Sequence, residues 1–159
     1  MTELSSGDLA PDFELARDGG GTLRLSALRG QRVVLFFYPK DDTEACTAEA
    51  VAFSSLKSQF AQAGATLVGI SPDSPKKHDK FKARHGISVT LVADPQRHAI
   101  EAWGVWGEKM MFGRRYMGVI RTTFLISAEG RVERVWRKVS VPGHAEEVLQ
   151  AVRAANGRA

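Results

Sequence analysis

The sequence contains very little cysteine and no long hydrophobic run, and both absences limit what the protein can be. Its 159 residues include a single cysteine, Cys46, so no disulfide can form within the chain. No apolar stretch reaches the roughly 20 residues that span a bilayer. The opening MTELSS has neither the basic nor the apolar segment of a secretory signal. We therefore expect a cytoplasmic protein with no membrane partner.

Metal ligands and a strong charge bias are also missing. The histidines are scattered, and no pair has metal-ligand spacing, so we expect no metal and no cofactor. The formal net charge is only +4. The densest basic stretch, residues 76–85, has no interleaved aromatic residues that could stack on bases, which favours a solvated helix face. We expect no nucleic-acid partner.

What is present is the composition of an ordinary globular domain, with 43% hydrophobic and 25% charged residues. The length fits one domain, which we predict to extend over residues 1–159. Continuous apolar runs predict buried strands. They cover residues 32–38, 65–71 and 90–93.

Helical patterns alternate with these strands. Helices are predicted from Thr43 to about Gly64, from Pro75 to about His85, over residues 96–103 and over residues 144–155. Two hairpins are predicted, one from residues 13–15 and 22–25 and one from residues 121–127 and 131–136. Residues 104–118 show no clear period and are predicted to be irregular.

This order of elements predicts an α/β protein. Strands that alternate with helices predict a mixed central sheet flanked by helices, with an N-terminal β-hairpin extension. A closing antiparallel hairpin followed by a helix is typical of a thioredoxin-like fold.

Cys46 is the first candidate for chemistry. A free cysteine often serves as a small core residue, but this one lies two or three residues into the helix predicted to begin near Thr43. A helix N-terminus favours a thiolate. The carboxyl ends of strands in open α/β sheets are also where ligands bind.

Pro39, Thr43 and Cys46 have the spacing P-x-x-x-T-x-x-C, which resembles the signature of the peroxiredoxins. The string FFYPKDDTEACTAEA is similar to the Q-type branch, also called bacterioferritin comigratory protein. GDLAPDFEL and the later GVWGEKMMFGRRYMGVIRTTFLISAEGRV, which contains Arg121, extend the resemblance over nearly the whole chain. It implies a thioredoxin-like fold and a thiol peroxidase.

The resemblance also implies roles for these residues. Cys46 would be the peroxidatic nucleophile that attacks hydrogen peroxide and organic hydroperoxides. Arg121 would supply the cation beside the sulfur. Thr43 would orient the peroxide as well as cap the helix, and Pro39 would shield the sulfur from water. Such an enzyme serves antioxidant defence and cell redox homeostasis.

Two further residues are candidates for supporting roles. Glu49 lies one helical turn after Cys46 and could orient Arg121, although a solvated helix acid is an alternative. Trp106 is expected to pack around the site.

The resemblance departs at Val51. Many Q-type members carry a second, resolving cysteine five residues after the first, where this chain has Val51. It therefore resembles the one-cysteine form, whose sulfenic acid needs an external thiol: a thioredoxin, a glutaredoxin-like protein, a small thiol or a second chain. We expect a monomer or a weak homodimer.

Two alternatives remain open. A thioredoxin-fold thiol–disulfide oxidoreductase is disfavoured because the residues from Cys46 to Glu49 do not form C-x-x-C. A redox sensor or a holdase would use the same thiol without turnover.

Overall fold

The structure is a computed structural model that describes residues 3–157. Its centre is a five-stranded mixed sheet with the order β5-β4-β3-β8-β9. These strands are β3 (Arg32–Phe37), β4 (Ala65–Ser71), β5 (Thr90–Ala93), β8 (Thr122–Ile126) and β9 (Val132–Trp136). β3 lies in the middle, parallel to β4 and antiparallel to β8. The predicted mixed sheet is therefore present, and its central strand is the first apolar run of the sequence.

Helices cover both faces of this sheet. They are α1 (Glu44–Ser55), α2 (Lys57–Gln62), α3 (Pro75–His85), α4 (His98–Ala102) and α5 (His144–Asn156). The first core cluster contains side chains from α1, α2, α3 and α5, and the second, on the other face, contains side chains from α4. Successive residues of β3 alternate between the two clusters, as the period of two in a strand requires.

The helix predicted from Thr43 to Gly64 is in fact two helices. It breaks at Leu56, where ψ is 5° and the backbone N–H donates to the carbonyls of Phe53 and Ser54. The apolar spacing continues through the break because Phe53 and Phe60 both pack into the same cluster. A hydrophobic pattern alone therefore could not reveal it.

The N-terminal hairpin is present as β1 (Glu14–Ala16) and β2 (Thr22–Arg24). The prediction for residues 104–118 was wrong. These residues form most of a second hairpin, β6 (Trp106–Met111) and β7 (Arg114–Val119), which is a sheet of its own. Its strands carry exposed apolar residues on both faces, so the alternation that marks a half-buried strand is absent.

No helix within residues 3–157 combines the length and the apolar character needed to cross a bilayer. The single-domain prediction includes residues 1, 2, 158 and 159, which lie outside the described residues, and it stays a prediction.

Candidate active site

The candidate site lies where β3 ends and α1 begins. Thr43 takes the N-cap position of α1, and the first helical hydrogen bond runs from the Thr47 N–H to the Thr43 carbonyl at 2.9 Å. The backbone N–H groups of residues 44–46 therefore precede the hydrogen-bonded ladder and lie at the positive end of the helix. Cys46 is the third residue of this helix, so its sulfur is held at that end.

Arg121 reaches the same place from a distant part of the chain. It directly precedes β8, whose first residue, Thr122, pairs with Phe37 at the end of β3. Strand pairing thus brings Arg121 beside the start of α1. Its Nη2 donates to Cys46 Sγ at 3.2 Å, and its Nη1 donates to Glu49 Oε1 at 2.7 Å. One rigid guanidinium therefore bridges the thiol and the carboxylate.

These three side chains are largely withdrawn from water. Cys46 and the side chain of Glu49 are each 2% exposed, and that of Arg121 is 14% exposed. Burial alone would lower the pKa of Arg121, but Glu49 and Cys46 beside it outweigh this effect and the pKa is raised. The cation is therefore permanent, and it is shared by two groups that can carry negative charge.

Glu49 is the unusual member of the group. Burial raises its pKa to about 7, although the charge and hydrogen bond of Arg121 oppose the shift. Its Oε2 has no hydrogen-bond partner in the described part of the chain. A buried carboxylate with one free oxygen is poorly compensated, which accounts for the raised pKa.

Thr43 is the N-cap residue as predicted, but its hydroxyl does not cap the helix. It donates instead to the Lys40 carbonyl at 2.8 Å. This bond orients the hydroxyl and leaves the lone pairs of its oxygen available to accept a hydrogen bond. Pro39 lies half-buried in the same loop, next to the fully buried Tyr38.

The loop that carries Pro39 and Thr43 is anchored by buried polar groups. Asp41 accepts a hydrogen bond from the Tyr38 hydroxyl at 2.7 Å, and its other oxygen lies 2.7 Å from His78 Nδ1. Asp42, in the same loop, lies 2.8 Å from His85 Nε2. Because His78 and His85 both belong to α3, the two aspartates connect the loop to that helix.

Sequence reasoning missed this anchor because residues 76–85 were interpreted as a solvated face around Phe81. The structure buries His78 as well as Phe81. The available signal was spacing: His78, Phe81 and His85 recur at three and four residues, which places them on one side of a helix.

Lys109 on β6 was also missed. Burial lowers its pKa, and the positive charge of Arg121 adds to this effect while Cys46 opposes it. Its ammonium donates to the Val119 carbonyl at 2.8 Å. Lys109 thus brings a second cation into the electrostatic surroundings of the thiol. Because residues 104–118 were predicted to be irregular, no expectation pointed to it.

Two other sequence candidates lie outside this group. Trp106 is half-buried, packs against the second core cluster and lies under the Arg97 guanidinium at 4.2 Å, whereas Cys46 belongs to the first cluster. Its predicted role at the site stays a prediction. Val51 lies on α1 and is 37% exposed.

Comparison with known proteins gives a consistent set of relatives. Residues 6–135 match the model of the AhpC/TSA family. Peroxiredoxin Bcp of Bacillus subtilis is 46% identical over 150 residues, which cover 94% of this chain and 96% of that protein.

Solved structures agree in fold. Peroxiredoxin Q of Xanthomonas campestris superposes with a TM-score of 0.89 at 41% identity, covering 95% of this chain and 98% of that one. A cysteine-to-serine variant of Xylella fastidiosa PrxQ gives a TM-score of 0.92 at 38% identity, covering 98% and 99%. The predicted thioredoxin-like fold is thereby confirmed. Structures of two different cysteine-to-serine variants of the Xanthomonas protein are also known, so that protein has at least two cysteines.

Proposed function

The chain belongs to the AhpC/TSA family and, within it, to the Bcp/PrxQ peroxiredoxins, which are thiol peroxidases, and from this premise we propose that Cys46 is its peroxidatic nucleophile. The observation that carries the proposal is the hydrogen bond from Arg121 Nη2 to Cys46 Sγ at the N-terminus of α1. The related Xanthomonas campestris bacterioferritin comigratory protein has alkyl peroxide reduction activity. We propose hydrogen peroxide and organic hydroperoxides as substrates here.

The first half of the reaction oxidises the sulfur. The Cys46 thiolate attacks one peroxide oxygen, an S–O bond forms as the O–O bond breaks, and the departing oxygen takes a proton to leave as water or an alcohol. Cys46 becomes a sulfenic acid. Arg121 and the N–H groups at the start of α1 stabilise the charge on the reacting oxygens, and the Thr43 hydroxyl accepts a hydrogen bond from the peroxide. Pro39 limits the access of water.

Glu49 acts as a positioning residue in this proposal. Its Oε1 accepts from Arg121 Nη1 at 2.7 Å, which fixes the rotation of the guanidinium so that Nη2 faces the sulfur. A lone cation on a flexible side chain would not hold this direction.

The second half of the reaction needs a thiol from outside. With no cysteine other than Cys46 in the chain, the sulfenic acid condenses with an external thiol to give a mixed disulfide and water. A second thiol then releases the Cys46 thiolate. We propose a thioredoxin, a glutaredoxin-like protein or a small thiol as reductant, and a cytoplasmic one-cysteine enzyme that is a monomer or a weak homodimer.

The test is peroxide consumption by the native chain and by Cys46→Ser, with Val51→Ser on the same helix as control. We expect Cys46→Ser to lose all peroxide consumption and Val51→Ser to keep the native rate of first oxidation. Near-normal consumption by Cys46→Ser would refute the proposal. Disulfide reduction without peroxide consumption would favour an oxidoreductase, and stoichiometric oxidation without turnover under any reductant would favour a sensor or a holdase.

A further inference from the structure

The exposed apolar side chains of this protein are concentrated at one place. Seven large apolar residues are exposed within residues 3–157, and five of them belong to the end of the β6–β7 hairpin. We call residues 110–117 the hairpin tip. Its exposed members are Met110, Met111, Phe112, Tyr116 and Met117. Clustered exposed apolar surface of this kind marks an interaction site.

The tip is a narrow ribbon that ends in a tight turn. Phe112 and Gly113 form the two-residue turn, and both have positive φ, 52° and 78°, as a type I′ turn requires. Phe112 is 98% exposed, so its ring makes almost no contact with its own chain. Phe112 therefore carries an unfavourable φ for a bulky residue that the packing of its own ring does not offset.

Apolar and basic side chains occur together on both faces of the ribbon. Met110 is paired with Arg115, and Met111 with Arg114. Paired residues share a face, and successive residues alternate between faces, so each of these two pairs places a methionine and an arginine on its own face of the tip. Met117 adds to the first face and Tyr116 to the second.

The charge of the hairpin is positive. Lys109, Arg114 and Arg115 are opposed only by Glu108 among the described strand residues, and Glu108 lies 3.4 Å from Arg115. The Arg114 side chain forms no hydrogen bond or ion pair with any other described residue. The tip therefore presents an unneutralised cation beside its apolar end.

We propose that the hairpin tip docks on the surface of an anionic lipid bilayer. A protein partner would cover one face of the ribbon, whereas a bilayer surrounds an inserted tip on both faces, which matches the distribution of the methionines. The arginines can extend back to the lipid phosphates while Phe112 enters the acyl boundary. The expectation of no membrane partner rested on the absence of a spanning segment, and an interfacial contact needs none.

Docking would bring the candidate active site close to the lipid. Lys109, directly before the tip, donates to the carbonyl of Val119 at 2.8 Å, and Val119 stands two residues before Arg121. The proposed peroxidase function would then operate at the membrane surface. The docking itself does not depend on that function.

The experiment measures co-sedimentation with vesicles made from equal parts of phosphatidylcholine and phosphatidylglycerol, and with vesicles of phosphatidylcholine alone. The native chain is compared with Phe112→Ser, Arg114→Gln and the control Leu9→Ser, which removes an exposed apolar side chain elsewhere. Cys46→Ser is included so that vesicle binding is measured without any peroxidase activity. Circular dichroism and the hydrogen peroxide rate verify that each hairpin variant is folded.

We expect the native chain, Leu9→Ser and Cys46→Ser to bind the anionic vesicles equally and the neutral vesicles more weakly. Partitioning should fall about tenfold or more in Phe112→Ser, because a buried phenyl ring is lost, and about fivefold in Arg114→Gln. The proposal would be overturned if the native chain did not bind the anionic vesicles even at low salt. It would also be overturned if Phe112→Ser bound them as well as the native chain does. A homodimer, or a complex with a protein reductant, that Phe112→Ser abolishes without any change in vesicle binding would overturn it as well.

Discussion

Replacing Glu49 by glutamine tests how the buried charges of the site are balanced. The variant keeps a carbonyl oxygen that can accept from Arg121 Nη1, as Oε1 does at 2.7 Å, and it removes the titrating proton. Because the side chain is 2% exposed, the loss of its charge has large consequences for stability. The amide should still hold the guanidinium so that Nη2 donates to Cys46 Sγ. We therefore expect the oxidation of Cys46 by peroxide to slow less than in an Arg121 variant.

The sign of the effect follows from the pKa of Glu49, which burial raises from 4.5 to about 7. Below pH 4.5 the folded and unfolded chains both hold the proton. Between pH 4.5 and about pH 7 only the folded chain holds the proton, so the free energy of unfolding of the native chain falls as the pH rises. Above about pH 7 both forms are ionised and the loss is complete. A difference of about 2.5 pKa units corresponds to about 3 kcal/mol.

Glutamine has no proton to lose, so the free energy of unfolding of the Glu49→Gln variant does not fall in this way as the pH rises. We expect the free energy of unfolding of Glu49→Gln, relative to the native chain, to increase by about 2–3 kcal/mol between about pH 5 and pH 8. Urea denaturation at a series of pH values measures it, and the other titrating groups cancel in the difference. Glu44→Gln, which removes an exposed carboxylate from the same helix, reports the contribution of net charge alone.

A difference that stays constant with pH would refute the argument, because it would mean that burial does not raise the pKa of Glu49. A glutamine variant that becomes relatively less stable as the pH rises would refute it as well. That result would show that the ion pair with Arg121 outweighs the cost of burying the carboxylate.

Two further variants test the geometry of the thiol. Arg121→Lys keeps the charge but replaces the planar fork, which donates to Cys46 and Glu49 in fixed directions, with a point charge on a flexible stem, so the rate of oxidation by peroxide, followed by stopped-flow fluorescence, should fall about 10²–10³-fold. An unchanged rate would remove the guanidinium fork from the mechanism, and Arg153→Lys, at an exposed position of α5, is the control. Val51→Cys should form an internal disulfide after peroxide treatment, seen by mass spectrometry, and should accumulate less sulfinic acid than the native chain. Continued accumulation at the native level would show that α1 does not open.

The central part of the fold was predictable because its signals are local and strong. The apolar runs of β3 and β4 and the proline at the start of α3 gave elements whose bounds differ from the prediction by one residue at most. Arg121 was predicted from the family resemblance and from its position at the start of an apolar strand, and neither signal shows that it contacts Cys46, which lies 75 residues away in the sequence. Strand pairing, which a sequence does not display, is what brings it to Cys46.

The features that were missed depend on contacts between elements. The β6–β7 hairpin lacks a buried face, so it lacks the alternation by which strands are recognised. The break at Leu56 leaves the apolar spacing intact. His78 was one histidine among basic residues until the fold placed Asp41 opposite it at 2.7 Å. In each case the missing information was the neighbouring element and not the residue type.

The burial of Cys46 limits how the proposed catalytic cycle can close. A sulfur that is 2% exposed lies behind its neighbouring side chains, and we expect a peroxide or a small thiol to reach it more readily than the much bulkier active site of a protein reductant. An internal disulfide faces a similar barrier. Residues five apart on a helix are separated by about 7.5 Å along its axis, beyond the Cα separation of about 7 Å that a disulfide tolerates. Both a protein reductant and a cysteine at position 51 therefore require the first turns of α1 to unwind. A native chain that a small thiol recycles rapidly and a thioredoxin recycles slowly would show that the closed helix sets the choice of reductant.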